Sequence, residues 1–380
     1  MKWFRLAIVA AVLVATVPAI AGAGSGDSGQ SGSTPAEDIR ANHREALEFW
    51  THARVARAIP RDMVLDAPDA LGIRVLPTHH APGHCGGPPG APRDCPGDTT
   101  TTTTSTTTTT TTVPGDGDEI IVVTGASWTQ GGDIADASGK VLFALGSSYY
   151  VCSASVVADG VAGRSVIVTA AHCVYDEVNN EFAQHWVFIP NYDAAPAPLS
   201  TSNSSYCADT HLGCWSAAAL FVHDGYASQP SFNSTATQYD FGFAMVLEGG
   251  YDGDHLDEMV TPLGIEFSAE PTDNSVQGWA FGYPAAQKYN GRDLTYCANG
   301  ATADPNNGNA TYRLALCDMT GGSSGGPWIM SKTIEHNGVV FSLNSYGYRG
   351  VKAMHGPKFN ASTLAVFNAA RTLDASVEVG

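Results

Sequence analysis

The alternation of hydrophobic and polar positions divides the chain into regions of different character. Residues 36–58 place apolar side chains at helical spacing among charged ones, and Pro60 should end that helix. After Asp118, short apolar runs alternate with turn residues, and no long amphipathic helix interrupts them. A further helical pattern covers Ala361–Leu373. The pattern predicts an all-β sandwich or barrel preceded by a helical segment.

The predicted strands are short and rich in β-branched and aromatic residues, which favour the pleated, half-buried surface of a sheet. They cover Ile120–Thr124, Val141–Leu145, Tyr149–Val157, Ser165–Ala170, Trp186–Ile189, Ala218–Val222, Phe241–Leu247, Val276–Phe281, Tyr312–Leu316, Trp328–Met330 and Gly338–Leu343.

Two regions before the β domain are not expected to form a core. Lys2 and Arg5 precede an apolar run to Ile20 and then small residues, which is the order of a secretory signal peptide. A membrane anchor is the alternative, but the run is shorter than the roughly 20 residues that a span needs. Residues 81–117 are dominated by Pro, Gly, Thr and Asp, with thirteen Thr and one Ser between positions 99 and 112. This composition predicts an extended linker and a candidate O-glycosylation tract.

These patterns give four predicted regions. They are a signal peptide at 1–23, a helical pro-segment at 24–80, a Thr-rich linker at 81–118 and a β domain at 119–380. We therefore expect a secreted chain with no membrane span after signal removal.

The composition and net charge of the chain limit the kinds of molecule that it can be expected to bind. The chain has 43% hydrophobic and 15% charged residues, enough for a sizeable core. Its 19 basic and 37 acidic residues give a net charge of -18, which argues against a nucleic-acid partner. Residues 24–118 carry 7 minus 12, or -5, and residues 119–380 carry 10 minus 25, or -15. Because seven basic residues lie between Arg40 and Arg93, the helical segment is either a pro-segment that docks on the acidic domain or simply a solvated amphipathic helix.

Eight cysteines fit an oxidising compartment. Pairing of nearest neighbours predicts four disulfides, although eight cysteines allow 105 connectivities. A zinc site is the alternative, but the sequence contains no Cys-x-x-Cys pair. The predicted bridges are Cys85–Cys95, Cys152–Cys173, Cys207–Cys214 and Cys297–Cys317.

Three segments carry candidate chemistry. In Val-Thr-Ala-Ala-His-Cys, small residues at the end of a strand let the imidazole of His172 approach other backbone closely. Asp240 lies immediately before an alternating apolar strand, where a carboxylate can fix one tautomer of a histidine. Asp224 is the alternative candidate for this role. In Gly-Gly-Ser-Ser-Gly-Gly-Pro-Trp, glycines around Ser324 permit a tight turn that exposes a hydroxyl beside backbone N–H groups.

The three segments, in the order His, Asp, Ser, resemble the trypsin-like serine proteases of chymotrypsin fold, closest to secreted bacterial trypsin-like and V8-like peptidases. The resemblance implies two antiparallel six-stranded β-barrels with a C-terminal helix. It implies Ser324 as nucleophile, His172 as general base, and Asp240 as the residue that orients the imidazole. The N–H groups of Gly322 and Ser324 would form the oxyanion hole. Cys152 matches the cysteine that pairs with the one after the catalytic histidine.

Two positions bear on activation and specificity within that family. Ser323 stands where animal trypsins carry the Asp that binds a new N-terminus, so that activation switch is in doubt. Asp318 lies six residues before Ser324, the position at the base of the trypsin pocket, which favours basic P1 residues. A surface or loop-capping carboxylate is the alternative, because Thr320 replaces the cysteine that anchors this loop in trypsin. Glutamate-specific members of the family use a histidine in the strand that follows the nucleophile. The corresponding stretch here, Ser342–Gly347, contains no histidine, which argues against a preference for glutamate at P1.

The function expected from the resemblance is a secreted serine endopeptidase that is made as a precursor. Its partners would be a polypeptide substrate and its own pro-segment, and we expect a monomer without cofactor or metal. A catalytically silent binding or adhesion module of the same fold, and an esterase with the same three residues, are the alternatives.

Overall fold

The computed structural model describes residues 12–15, 35–67, 120–268, 273–333 and 335–373. Within these ranges the helices are α1 Pro35–Phe49, α2 His52–Val55, α3 Asp133–Ala137, α4 Asp224–Ala227, α5 Leu256–Met259 and α6 Ala361–Thr372. The strands are β1 Val12–Ala15, β2 Ile59–Pro60, β3 Val64–Leu65, β4 Val123–Ser127, β5 Ser138–Leu145, β6 Ser148–Val157, β7 Ser165–Thr169, β8 Tyr175–Asp176, β9 Glu181–Phe182, β10 Gln184–Pro190, β11 Trp215–His223, β12 Gly242–Val246, β13 Gly264–Ile265, β14 Asp273–Gly282, β15 Thr295–Ala303, β16 Thr311–Ala315, β17 Pro327–Met330, β18 Val339–Leu343, β19 Gly347–Tyr348 and β20 Ala353–Pro357. The Thr-rich linker, Cys85, Cys95 and most of the signal peptide lie outside the described residues.

The first sheet closes into a six-stranded antiparallel barrel. Its strands follow the order β11, β10, β5, β6, β7, β12, and β12 pairs back with β11. All eight residues of β5 are buried, and all of β7 and β12 are as well. Closure removes the free edges of this sheet and confirms the first expected barrel. β1 adds to the outside of β11, and its assignment to a signal peptide stays a prediction.

The second sheet contains the order β18, β17, β14, β15, β16, β20. Neighbouring strands in this series are antiparallel. Among the described residues no ladder pairs β18 with β20, but an antiparallel bridge joins Tyr346, just after β18, to His355 of β20. A side-chain hydrogen bond links its end strands, from Ser342 Oγ of β18 to the carbonyl oxygen of Pro357 in β20 at 2.8 Å. The second closed barrel stays a prediction, and α6 follows this sheet.

The single helix expected over 36–58 is divided in two. α1 ends at Phe49, and α2 begins after Thr51, whose hydroxyl accepts a hydrogen bond from the Arg54 N–H at 3.3 Å. Trp50 lies at the break, fully buried, and its indole donates to the carbonyl oxygen of His185 at 2.6 Å. Tertiary packing of the tryptophan thus overrides helix continuity.

Three of the four predicted disulfides are formed: Cys152–Cys173, Cys207–Cys214 and Cys297–Cys317. The first joins β6 to the short 3-10 turn Ala171–Cys173 that follows β7. It therefore anchors the segment that carries His172 to the barrel. Within the described part of the chain, no helix combines the length and apolar character needed to cross a membrane.

Candidate active site

The structure brings His172 and Asp240 into direct contact in the interior. The Asp240 carboxylate accepts from the His172 backbone N–H at 2.9 Å and from its ring Nδ1 at 2.8 Å. Both side chains are fully buried. Because an ionised carboxylate only accepts hydrogen bonds, this contact selects the tautomer with the proton on Nδ1, in which the neutral imidazole keeps a lone pair on Nε2. Nε2 makes no hydrogen bond with any described residue, so it is available as a base.

A third donor to this carboxylate comes from the other sheet. Ser345 lies between β18 and β19, and its hydroxyl donates to Asp240 Oδ2 at 2.5 Å. Three donors therefore hold the carboxylate, and two of them belong to His172. Sequence reasoning missed Ser345, because only the contact between the two sheets gives it this role. The available signal was a polar pair, Asn344–Ser345, directly after the apolar strand β18.

Ser324 occupies the turn that precedes β17, beside the histidine segment. Its carbonyl oxygen accepts from the Ser153 N–H at 2.7 Å and lies 3.8 Å from Cys173 Sγ. Its hydroxyl donates to the carbonyl oxygen of Arg61 at 3.1 Å rather than to the histidine. The structure thus places Ser324 next to the segment that carries His172, with its hydroxyl engaged by Arg61, the residue after β2.

The glycine before this serine adopts a conformation that only glycine accepts easily. Gly322 has a φ of +95°, and a Cβ at this position would lie 2.8 Å from the Tyr283 carbonyl oxygen. Its own carbonyl oxygen accepts from Ser153 Oγ at 2.8 Å. No described residue accepts from the N–H of Gly322 or Ser324. Two N–H groups are therefore free beside the hydroxyl, as an oxyanion hole requires.

Ser323 holds this loop without a buried charge. Its hydroxyl donates to the Thr320 carbonyl oxygen at 2.8 Å, and its carbonyl oxygen accepts from Asn344 Nδ2 at 3.0 Å. Asn344 also accepts from the Trp328 indole at 2.8 Å. The turn is consequently fixed by neutral hydrogen bonds within the domain.

Asp318 makes contacts of its own. Its Oδ2 lies 2.8 Å from Lys288 Nζ, and its Oδ1 accepts from the Tyr289 hydroxyl at 2.5 Å. Burial, followed by the hydrogen bond to Asp318, raises the pKa of Tyr289. Both carboxylate oxygens are thus engaged within the protein, and selection of a basic P1 residue by Asp318 stays a prediction.

A buried polar network supports the strand after Ser345. The hydroxyls of Tyr346 and Tyr348 each donate to Asp304 Oδ2 at 2.8 Å. His355 stacks on Tyr346 with ring centroids 4.9 Å apart, and burial lowers the pKa of His355. The network fixes β19, the strand that pairs with β3.

One grouping of potential metal ligands occurs among the described residues: Cys152, His172 and Cys173. Since both cysteines are joined in a disulfide, the group offers a single imidazole and no thiolate.

Comparison with known proteins places this geometry in a family. No protein-family model and no curated protein matches the chain. Among solved structures, the protease Anisep from Arthrobacter nicotinovorans is 34% identical, with a TM-score of 0.53; the match covers 66% of this chain and 100% of that protease. A thermostable serine protease, AL20, from an extremophilic microorganism is 32% identical, with a TM-score of 0.52, over 63% of this chain and 99% of that one. The chain belongs to the bacterial serine proteases of chymotrypsin fold.

Proposed function

We propose that the chain is a secreted serine endopeptidase, made as a precursor, that hydrolyses peptide bonds through an acyl-enzyme. The observation that carries this proposal is the fully buried Asp240–His172 pair, whose Nε2 bonds no described residue and whose neighbour Cys173 lies 3.8 Å from the Ser324 carbonyl oxygen. This arrangement of acid, base and hydroxyl supports nucleophilic catalysis rather than a purely structural role.

The proposed roles are those of a serine protease with these three residues. In the free enzyme, Ser324 Oγ attacks the peptide carbonyl carbon while His172 Nε2 takes its proton and later delivers it to the leaving amine. Asp240, which accepts from Nδ1 at 2.8 Å, stabilises the imidazolium that forms. Water then attacks the acyl-enzyme by the same route in reverse. No cofactor is required for any of these steps.

The oxyanion that develops on the substrate carbonyl would be bound by the N–H groups of Gly322 and Ser324. Such donors are oriented in advance, so the loop need not reorganise as charge develops. Loss of one donor of this kind typically costs about 3 kcal/mol of transition-state stabilisation.

Secretion and synthesis as a precursor are supported by independent features. The three disulfides fit an oxidising compartment. Residues 42–67 pack on the β domain in the structure, through buried residues such as Trp50 and His52. These contacts favour a docked pro-segment over a solvated helix. The proposed partners are accordingly a polypeptide substrate and this segment, and we propose that the chain acts as a monomer.

The proposal is tested with a fluorophosphonate probe and a casein digest, after removal of residues before the β domain. We expect the probe to label the protein, casein to be cut, and both results to vanish in Ser324→Ala. Ester hydrolysis with untouched casein would instead identify an esterase. A folded protein that neither labels nor cuts would identify a silent binding module.

A peptide library tests the specificity prediction separately. If Asp318 selects basic P1 residues, Asp318→Asn removes that preference, and Lys288→Ala strengthens it because the carboxylate loses its internal cation. Unchanged cleavage sites in both variants would assign Asp318 a structural role.

A further inference from the structure

Residues 59–65, which we call the cleft segment, pass between the two sheets of the β domain. β2, at the start of the segment, runs parallel to Tyr150–Val151 of β6 in the barrel. β3, at its end, runs parallel to β19, which follows β18 along the chain and forms a separate two-stranded sheet with β3. The residues between them cross the turn that carries Ser324. The segment therefore spans the cleft in which a substrate must bind.

The contact at Ser324 is not the one that catalysis needs. The Arg61 N–H donates to the Val151 carbonyl oxygen at 3.3 Å, and the Arg61 carbonyl oxygen accepts from Ser324 Oγ at 3.1 Å. A scissile carbonyl must offer its carbon to Oγ and point its oxygen at the N–H groups of Gly322 and Ser324. Here the oxygen faces the hydroxyl, and those N–H groups bond no described residue. The cleft segment is thus bound in a non-productive pose.

Side chains of the segment fill the space around this contact. Pro60 and Asp62 pack on Gly321, where a Cβ would lie 3.0 Å and 2.7 Å from their respective Cβ atoms. Burial raises the pKa of Asp62, and the nearby His172 opposes that effect. The Arg61 guanidinium lies 3.7 Å from the buried carboxylate of Glu177. Substrate cannot enter while these side chains remain.

The segment is held at both ends. Upstream, Phe49 stacks on His185 with centroids 3.8 Å apart, and His52 Nε2 lies 2.7 Å from Asp209 Oδ2. Downstream, the carbonyl oxygens of Met63 and Leu65 accept from the N–H groups of residues 347 and 349 at 3.0 and 2.9 Å. Anchors on both sides keep the non-productive carbonyl over the nucleophile.

We propose that the cleft segment is an inhibitory peptide ligand of the chain's own active site, and that the precursor is latent because its cleft is occupied. The catalytic loop itself is already formed, since Ser323 is satisfied by Thr320 and Asn344. Activation therefore consists of releasing residues 59–65, with no rearrangement of that loop. The inference rests on the proposed function.

The test compares rates of fluorophosphonate labelling of the full chain before and after the segment is removed. A recognition sequence for a specific protease is placed within residues 99–112, the folded chain is cut there, and the fragments are separated by size exclusion. A tethered ligand has an effective concentration of about 1 mM, so a segment with a Kd of about 10 μM slows labelling about 100-fold. We expect removal to restore that rate.

Paired variants of the full chain separate occupancy of the cleft from general docking. Arg61→Ala/Asp62→Ala should speed labelling of the uncut chain about tenfold, as expected for about 1.4 kcal/mol of lost binding. Arg44→Ala/Glu48→Ala, which removes the same kinds of charge from the exposed side of α1, should leave the rate unchanged. A synthetic 42–67 peptide added to the separated domain should restore inhibition and remain uncut.

The outcomes distinguish this inference from the proposed function. Equal labelling before and after removal would overturn the inference and leave the protease assignment intact. Cleavage within residues 59–65, seen by mass spectrometry, would show a substrate rather than an inhibitor. Equal acceleration by both double variants would also overturn it. If the separated, folded domain does not label at all, the proposed function fails, and the inference fails with it.

Discussion

The hydroxyl of Ser345 offers a sharp test of how the site is organised. It supplies one of three donors to the Asp240 carboxylate and reaches it from the opposite sheet. Ser345→Ala removes that donor and changes no group that touches substrate. We therefore expect a loss of turnover without a comparable loss of substrate binding.

The magnitude can be worked from the contact. A hydrogen bond to a charged group contributes about 1.5 to 3 kcal/mol, and 1.4 kcal/mol corresponds to a tenfold change in rate. The carboxylate keeps two donors from His172, so only part of this energy distinguishes the transition state from the ground state. We expect kcat to fall about tenfold, with KM within twofold of its original value.

Ser342→Ala provides the matched control. Ser342 is also fully buried, and it lies on the adjoining strand β18, but its hydroxyl donates to Pro357 rather than to the carboxylate. Both variants lose one buried hydrogen bond and should lower the thermal midpoint by similar amounts. Steady-state kinetics on a peptide substrate then separate stability from catalysis.

Two results would refute this reasoning. If Ser345→Ala keeps kcat within twofold, the third donor is irrelevant to the transition state. If Ser342→Ala loses as much activity as Ser345→Ala, the effect belongs to packing of the second sheet.

Other predictions concern the loop, the disulfide and the docked segment. Gly322→Ala, at a φ of +95° and with its Cβ against a backbone carbonyl, should lower kcat at least about 100-fold in kinetics of the released enzyme; near-normal activity would contradict the oxyanion assignment. Replacing Cys152 and Cys173 by Ser opens a loop with a sequence separation of 21 and should reduce the free energy of unfolding by about 3 kcal/mol in urea titrations; an unchanged midpoint would argue against it. Burial lowers the pKa of His43 and of His185, so docking of the 42–67 peptide should weaken as the pH falls below about 6.5, until protonation of Asp62, whose pKa burial raises, opposes that loss; calorimetry showing a flat profile just below pH of about 6.5 would exclude the histidine linkage.

The strands that sequence patterns missed share a physical cause. β15 contains Asn299–Gly300, a dipeptide typical of turns, yet the strand pairs with β14, β16 and β4 in the sheet. β20 contains Gly356 and Pro357, which also disfavour a strand prediction. Pairing with neighbours decides both, and no local pattern contains that information.

The residues of the candidate site also differ in whether a local sequence pattern identifies them. His172, Asp240 and Ser324 each lie in a contiguous motif with recognisable glycines or small residues, so the sequence predicted all three. Ser345 acts on a carboxylate 105 positions away, and Arg61 reaches a hydroxyl 263 positions away. Such contacts arise only from tertiary structure, which explains why the sequence left them out.

Under the proposed synthesis as a precursor, the hydrogen bond from the Ser323 hydroxyl to the Thr320 carbonyl oxygen bears on how the active form can be made. In an enzyme whose catalytic loop is ordered only when the ammonium group of a new N-terminus is buried, one accurate cut must create that first residue. This loop has no such requirement, so the cutting protease can be imprecise. A population with ragged first residues, trimmed by whatever peptidases share its surroundings, would be uniformly active once the cleft is clear, and fusions placed before the β domain should leave its activity unchanged.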